Sequence, residues 1–121
     1  MKVTIWRTAL SWILAIFFIV GGLTNIFASD AILADYQVWG YPNWFHYLTG
    51  SLELATAALL VFPATRFAGS ILGATVMGAA AVTLLMHNDY VHALLPLAIL
   101  GLTVLNARMT RSGRGEVSAS E

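Results

Sequence analysis

The stretch WFHYLTGSLELATAALLVF, Trp44 to Phe62, decides the fold. It is an almost unbroken apolar run, and crossing a bilayer core takes roughly 17 to 25 helical residues. Inside it stands one charged residue, Glu53. A carboxylate at that depth is costly, so it needs either a partner or a function.

Three further runs resemble it: Thr8 to Ala28, Phe67 to Met86 and about Val91 to Ala107. A transmembrane barrel would instead show segments of about ten residues alternating in polarity. Continuous apolar runs satisfy their backbone groups in lipid only as helices. The expected fold is therefore all-α: a polytopic membrane protein, an antiparallel four-transmembrane-helix bundle with a short interfacial outer segment between the first two spans.

Composition agrees. Of 121 residues, 59% are hydrophobic and 10% charged, with a mean hydropathy of +0.78, too apolar for a soluble domain. The net charge is zero and no basic surface suggests nucleic acid. With no cysteine, disulfides, thiolate nucleophiles and thiolate-ligated metals are excluded.

Lys2 and Arg7 precede the first run as they would a secretory signal. The run is longer than the roughly 7 to 15 residues of a signal core, so a retained span is expected. Lys2, Arg7, Arg66, Arg108, Arg111 and Arg114 all fall on one side of the four spans, whereas the two other loops carry Asp30, Asp35 and Asp89. The positive-inside bias then makes both termini cytoplasmic.

Pro63 to Arg66 and His87 to Tyr90 are tight turns between antiparallel neighbours. Ser29 to Asn43 mixes Tyr36, Trp39 and Tyr41 with Asp30, Asp35 and Gln37, which suits a short helix on the bilayer surface before Gly40-Tyr-Pro42 turns the chain inward. Trp39, Tyr41 and Trp44 are expected at the outer headgroup level, Trp6 and Trp12 at the inner one. Residues 1–109 form one transmembrane domain, and the Ser-, Gly- and Arg-rich residues 110–121 a disordered cytoplasmic tail. Gly69 and Gly73, with Ser70, Ala74 and Gly78 beside them, give the third span a smooth face. That face serves either packing within the chain or a homo-oligomer through Gly69, Gly73 and Gly78.

At 1.5 Å per residue, His46 lies about 3 Å into the second span and Glu53 about 13 Å, near the midplane. Both share a helix face with Thr49 and Gly50. Asn25 and Thr24 in the first span, Thr83 and His87 in the third, and His92 in the fourth are placed to converge on this stripe. No Lys or Arg lies inside a span, so a neutral Glu53 is expected, because an unpaired charge in hydrocarbon is untenable. One reading makes Glu53 helix glue, bonded to Thr75 or a backbone carbonyl; the other makes it a group that exchanges protons or binds the polar head of a lipophilic ligand. His46, His87 and His92 match no metal motif, so no metal site is assigned; the outer turn would equally serve as a proton entrance. No nucleophile motif or phosphate-cradling loop is present, and no catalytic residue is assigned.

Gly21-Gly-Leu-Thr-Asn25, Gly40-Tyr-Pro-Asn-Trp-Phe45, Gly50-Ser-Leu-Glu53, the Phe62-Pro63 turn, the Met77 to Met86 segment ending at His87, and Pro96 together resemble the DoxX-like family of small four-helix membrane proteins. The resemblance runs from about Ala15 to Ala107. It departs at Asn25, where many relatives carry a lysine able to pair with the glutamate. It implies the bacterial inner (cytoplasmic) membrane and an association with membrane redox systems. The expected function is an accessory subunit, without catalytic activity of its own, that binds a lipophilic ligand such as quinone for a redox partner protein. The alternatives are a scaffold or assembly protein with Glu53 as glue, and a small oligomeric transporter.

Overall fold

The computed structural model describes the backbone of residues 2–120 and the side chains of residues 5–111. All regular structure among the described residues is helical: α1 (Lys2–Ile26), α2 (Asp30–Val38), α3 (Phe45–Val61), α4 (Arg66–Met86) and α5 (Tyr90–Ser120). Segments of three helices are long and apolar enough to cross a membrane: Ile5–Ile26 in α1, Pro63–Met86 through α4, and Tyr90–Arg111 in α5. α3 is apolar but shorter, 17 residues, or about 26 Å of helix. α5 continues past Thr110, where the composition predicts a disordered tail; the side chains of residues 112–121 lie outside the described residues.

Each connection has a local cause. The expected interfacial segment forms α2: Ser29 caps it by accepting a hydrogen bond from the Ile32 amide at 3.3 Å, and Asp30 sits in its first turn, where negative charge complements the helix dipole. Gly40, at φ +81°, ends it in a left-handed conformation that favours glycine. Pro63 opens a 3-10 turn after the extended Phe62, the conformation a following proline favours. Arg66 then reaches back, its Nε donating to Leu60 O at 2.9 Å and Nη2 to Val61 O at 3.1 Å. Thr65 donates to Leu59 O at 2.8 Å. The carbonyls that α3 leaves open at its C-terminus are thus satisfied by the turn itself.

α1 packs on α3, α3 on α4, and α4 on α5, with α1 also touching α5. The core between them is Leu14, Ala15, Phe18, Ala57, Leu60, Val76, Met77 and Ile99. Lipid chains are as apolar as these side chains, so close van der Waals contact supplies the cohesion. Small residues permit that contact. A Cβ on Gly50 would stand 2.8 Å from the Gly22 carbonyl, and one on Gly69 would stand 2.8 Å from the Leu59 Cβ. A Cβ on Gly73 would meet Phe18 and Thr56 at 3.0 Å. Gly69 and Gly73 are therefore occupied by packing within the chain, the first of the two roles expected of that face; Gly78 alone of the three faces open space.

A polar layer not anticipated from the sequence ties three helices together. Ser11 of α1 donates to Asn106 Oδ1 of α5 at 3.1 Å, and Asn106 Nδ2 donates to Ser70 of α4 at 2.8 Å. All three residues are fully buried, and each polar side chain finds a partner, as burial demands. Ile13, Ile16, Val20, Leu94 and Leu95 are exposed, as lipid-facing side chains are. Trp44 is also exposed. Trp39 and Tyr41 are half-buried: Trp39 meets the Tyr36 ring edge-on at 5.3 Å, and Tyr41 stacks on Phe45 at 4.3 Å.

Candidate functional site

Glu53 is 4% exposed. Its partner is neither Thr75, which is exposed and bonds Ile71 O on its own helix, nor a backbone carbonyl. Glu53 Oε1 accepts a hydrogen bond from Asn25 Nδ2 at 2.6 Å. Asn25 thus meets the glutamate as a neutral donor.

Both polar atoms of the Asn25 amide are engaged. Its Nδ2 also donates to Gly21 O at 3.0 Å, and its Oδ1 accepts from the Tyr36 hydroxyl at 2.7 Å. Its backbone carbonyl lies 2.7 Å from His46 Nδ1. A carbonyl only accepts, so this contact assigns a proton to Nδ1. One asparagine therefore joins α1, α2 and α3. Gly21 explains the approach of Glu53, because any Cβ there would overlap Glu53 Oε2.

A cavity of about 380 Å³ adjoins this array. Glu53, Asn25, Thr24, Thr49, Tyr36 and Asp35 supply its polar rim; Phe17, Val76, Met77, Leu84, Leu95 and Pro96 are among its apolar walls. All five helices contribute. Pro96 takes its place inside α5 without the N–H that would bond the His92 carbonyl. A second cavity of about 150 Å³ lies between α2, α3 and α4, and a recess of about 340 Å³ is lined by His46, Gln37 and Asn43 among others. Tyr36 lines all three. It is 8% exposed, and burial pushes its phenol above the usual tyrosine value of 10.0.

The residues singled out in the sequence divide into two groups. Glu53, Asn25, Thr24 and Thr49 come together on the cavity, and His46 joins them through the Asn25 carbonyl while facing the recess. His87 and His92 do not join the site, contrary to expectation. His87 is tied to its own helix end at Thr83 O, 2.8 Å away. His92 pairs with Asp89 at 2.8 Å and is exposed, and its hydrogen bond holds the Asp89 carboxyl below the usual aspartate range. Thr83, also expected on the stripe, lines the second cavity. No group of three metal-ligating side chains occurs among the described residues.

Tyr36 and Gly21 are the site residues that sequence reasoning missed. Tyr36 stands on the surface helix, and only the fold of α2 back over α1 and α3 brings its hydroxyl to Asn25. The glycines of Gly21-Gly22 carried a signal, since paired glycines in a span mark close approach, but not which group approaches.

These features define a small multi-pass helical membrane protein with a carboxyl–amide–phenol array beside an apolar cavity. The sequence profile of the DoxX-like family matches residues 9–106, which include every member of that array, and the chain belongs to this family. No curated protein and no solved structure matches it.

Proposed function

We propose that this protein is an accessory subunit, without chemistry of its own, that holds a lipophilic molecule with a polar head, such as a quinone, over Glu53 for a membrane redox partner. The observation that carries this reading is the composition of the 380 Å³ cavity: its polar groups all come from α1, α2 and α3, and the rest of the wall is apolar, with α4 and α5 contributing apolar side chains alone. Few, convergent polar groups in an apolar hollow suit an amphiphilic ligand. A protonated Glu53 donates to a ligand carbonyl, and an ionised one accepts from a ligand hydroxyl.

In this reading α1, α3, α4 and α5 are four antiparallel spans of the bacterial inner membrane, with both termini cytoplasmic and α2 on the outer face. The short α3–α4 and α4–α5 connections and the one-sided distribution of basic residues support it. The test is quinone binding by the purified protein, wild type against Glu53→Gln. The substituted amide retains a carbonyl for Asn25 but lacks the ionisable group. We expect one tightly held quinone in the wild type and affinity at least about tenfold lower in Glu53→Gln, from loss of one hydrogen bond of about 1.5 kcal/mol. No quinone bound to the wild type would sink the proposal.

A scaffold role is the second reading, favoured by the 2.6 Å Asn25–Glu53 bond that fastens α1 to α3. It predicts that Glu53→Gln leaves partner assembly intact and that no extractable lipophile accompanies either form.

A further inference from the structure

We propose a second binding site, for an anionic phospholipid, in the groove between α4 and α5 at the basic end of the molecule. The groove is about 210 Å³ and has Phe67, Ile71, Ala74 and Val104 as apolar lining, with Arg108 and Arg111 at its rim. The inference is independent of the Glu53 cavity, with which this groove shares no lining residue.

The two arginines differ from Arg66. Arg66 is buried and donates to the last carbonyls of α3. Arg108 and Arg111, three residues apart and so neighbours on one helix face, are both exposed, and neither has an acidic partner among the described residues. The Ser11–Asn106–Ser70 bonds hold these stretches of α1, α4 and α5 at one level. Arg7, Arg66 and Arg108 are each within four positions of a member of that chain, and no acidic side chain described in the structure is. Arg108 and Arg111 both stand in the last four residues of the apolar segment Tyr90–Arg111, where the polypeptide reaches the headgroup region. A guanidinium pair there matches a phosphate through directed donors, while the apolar groove beside it receives the start of an acyl chain. Basic pockets between transmembrane helices recognise anionic headgroups on these grounds. A free phosphate would use the arginines alone, so the groove selects the lipid.

The test titrates detergent-solubilised full-length protein with phosphatidylglycerol or phosphatidylcholine of identical chains and counts retained lipid by native mass spectrometry. At about 1 kcal/mol per arginine, the wild type should prefer phosphatidylglycerol roughly 30-fold, and raised salt should shrink the preference. The double variant Arg108→Gln/Arg111→Gln should lose it while keeping the wild-type helical circular dichroism. Ala74→Phe, which fills the groove and leaves both arginines, should weaken retention of both lipids. Equal retention of the two lipids by the wild type, or an undiminished preference in the double variant, overturns the proposal. Undiminished retention by Ala74→Phe overturns the groove as the chain-binding part.

Discussion

At the scale of single residues, the geometry around Glu53 is governed by what Gly21 lacks. Glu53 Oε1 is held by Asn25, and Oε2 lies where a side chain on residue 21 would begin. Gly21→Ala therefore forces the carboxyl away from its amide partner, whereas Gly78→Ala adds a methyl into open space. Overpacking of this kind costs about 1 to 3 kcal/mol, and the displaced carboxyl adds an unsatisfied group. We expect Gly21→Ala to lower the thermal midpoint in detergent and to weaken quinone binding as strongly as Glu53→Gln. Gly78→Ala should leave both unchanged or raise stability slightly, because alanine is the better helix former. Equal midpoints for the two variants would contradict the geometry. Glu53 itself is legible in the sequence, since a lone carboxylate in an apolar run declares itself. Its partner is less so: spacing places Asn25 near the C-terminal end of α1, but only three-dimensional packing selects it over Thr75.

At the scale of elements, α2 is the part whose existence is legible and whose role is not. Its amphipathic composition, the Ser29 cap and Gly40 define a short surface helix. Nothing in a local pattern shows that Tyr36 turns down onto Asn25 and into contact with Trp39, Tyr41, Phe45 and His46. α2 makes few backbone approaches to the other helices, chiefly to α3, so this one side chain carries much of its docking. Tyr36→Phe keeps the ring and removes the hydroxyl, leaving Asn25 Oδ1 without its donor at a cost of about 1 to 3 kcal/mol. Hydrogen exchange of the α2 amides should quicken by roughly tenfold or more, with the amides of α3 and α4 unaffected. The phenol adds a pH signature. Its folded value lies above the unfolded 10.0, so the folded state binds more protons as pH passes that value. The stabilisation from α2 docking is fully present below the unfolded value of 10.0 and declines as pH rises toward and through the folded one. Alkaline titration should thus quicken exchange of the α2 amides in the wild type as the Tyr36 phenol ionises, and Tyr36→Phe, whose α2 is already loosened, should show no such pH dependence.

At the scale of the whole molecule, two polar layers bracket an apolar core. One is Glu53–Asn25–Tyr36; the other is Ser11–Asn106–Ser70 toward the basic end; Leu14, Phe18, Leu60 and Ile99 lie among the core residues. The second layer was illegible because its members are common small polar residues separated by as many as 95 positions, and no periodicity links them. The glycines of α4 were legible as a smooth face, but a smooth face does not reveal what covers it. Here Phe18 of α1 and Thr56 of α3 cover Gly73, each 3.0 Å from where its Cβ would be. The consequence separates two kinds of loss. A bulky residue at an oligomer face would split an oligomer and leave the monomer as stable as before. Gly73→Leu must instead push α1 and α3 away from α4 at the centre of the core, where overpacking costs about 1 to 3 kcal/mol and occasionally more. The expected outcome is a lower thermal midpoint with no change of oligomeric state by light scattering in the same detergent, and Gly69→Leu should behave alike against Leu59 and Leu60. A variant that changes its oligomeric state at an unaltered midpoint would place the surface of α4 on the outside of the chain after all. The core drawn around Phe18 would then be wrong.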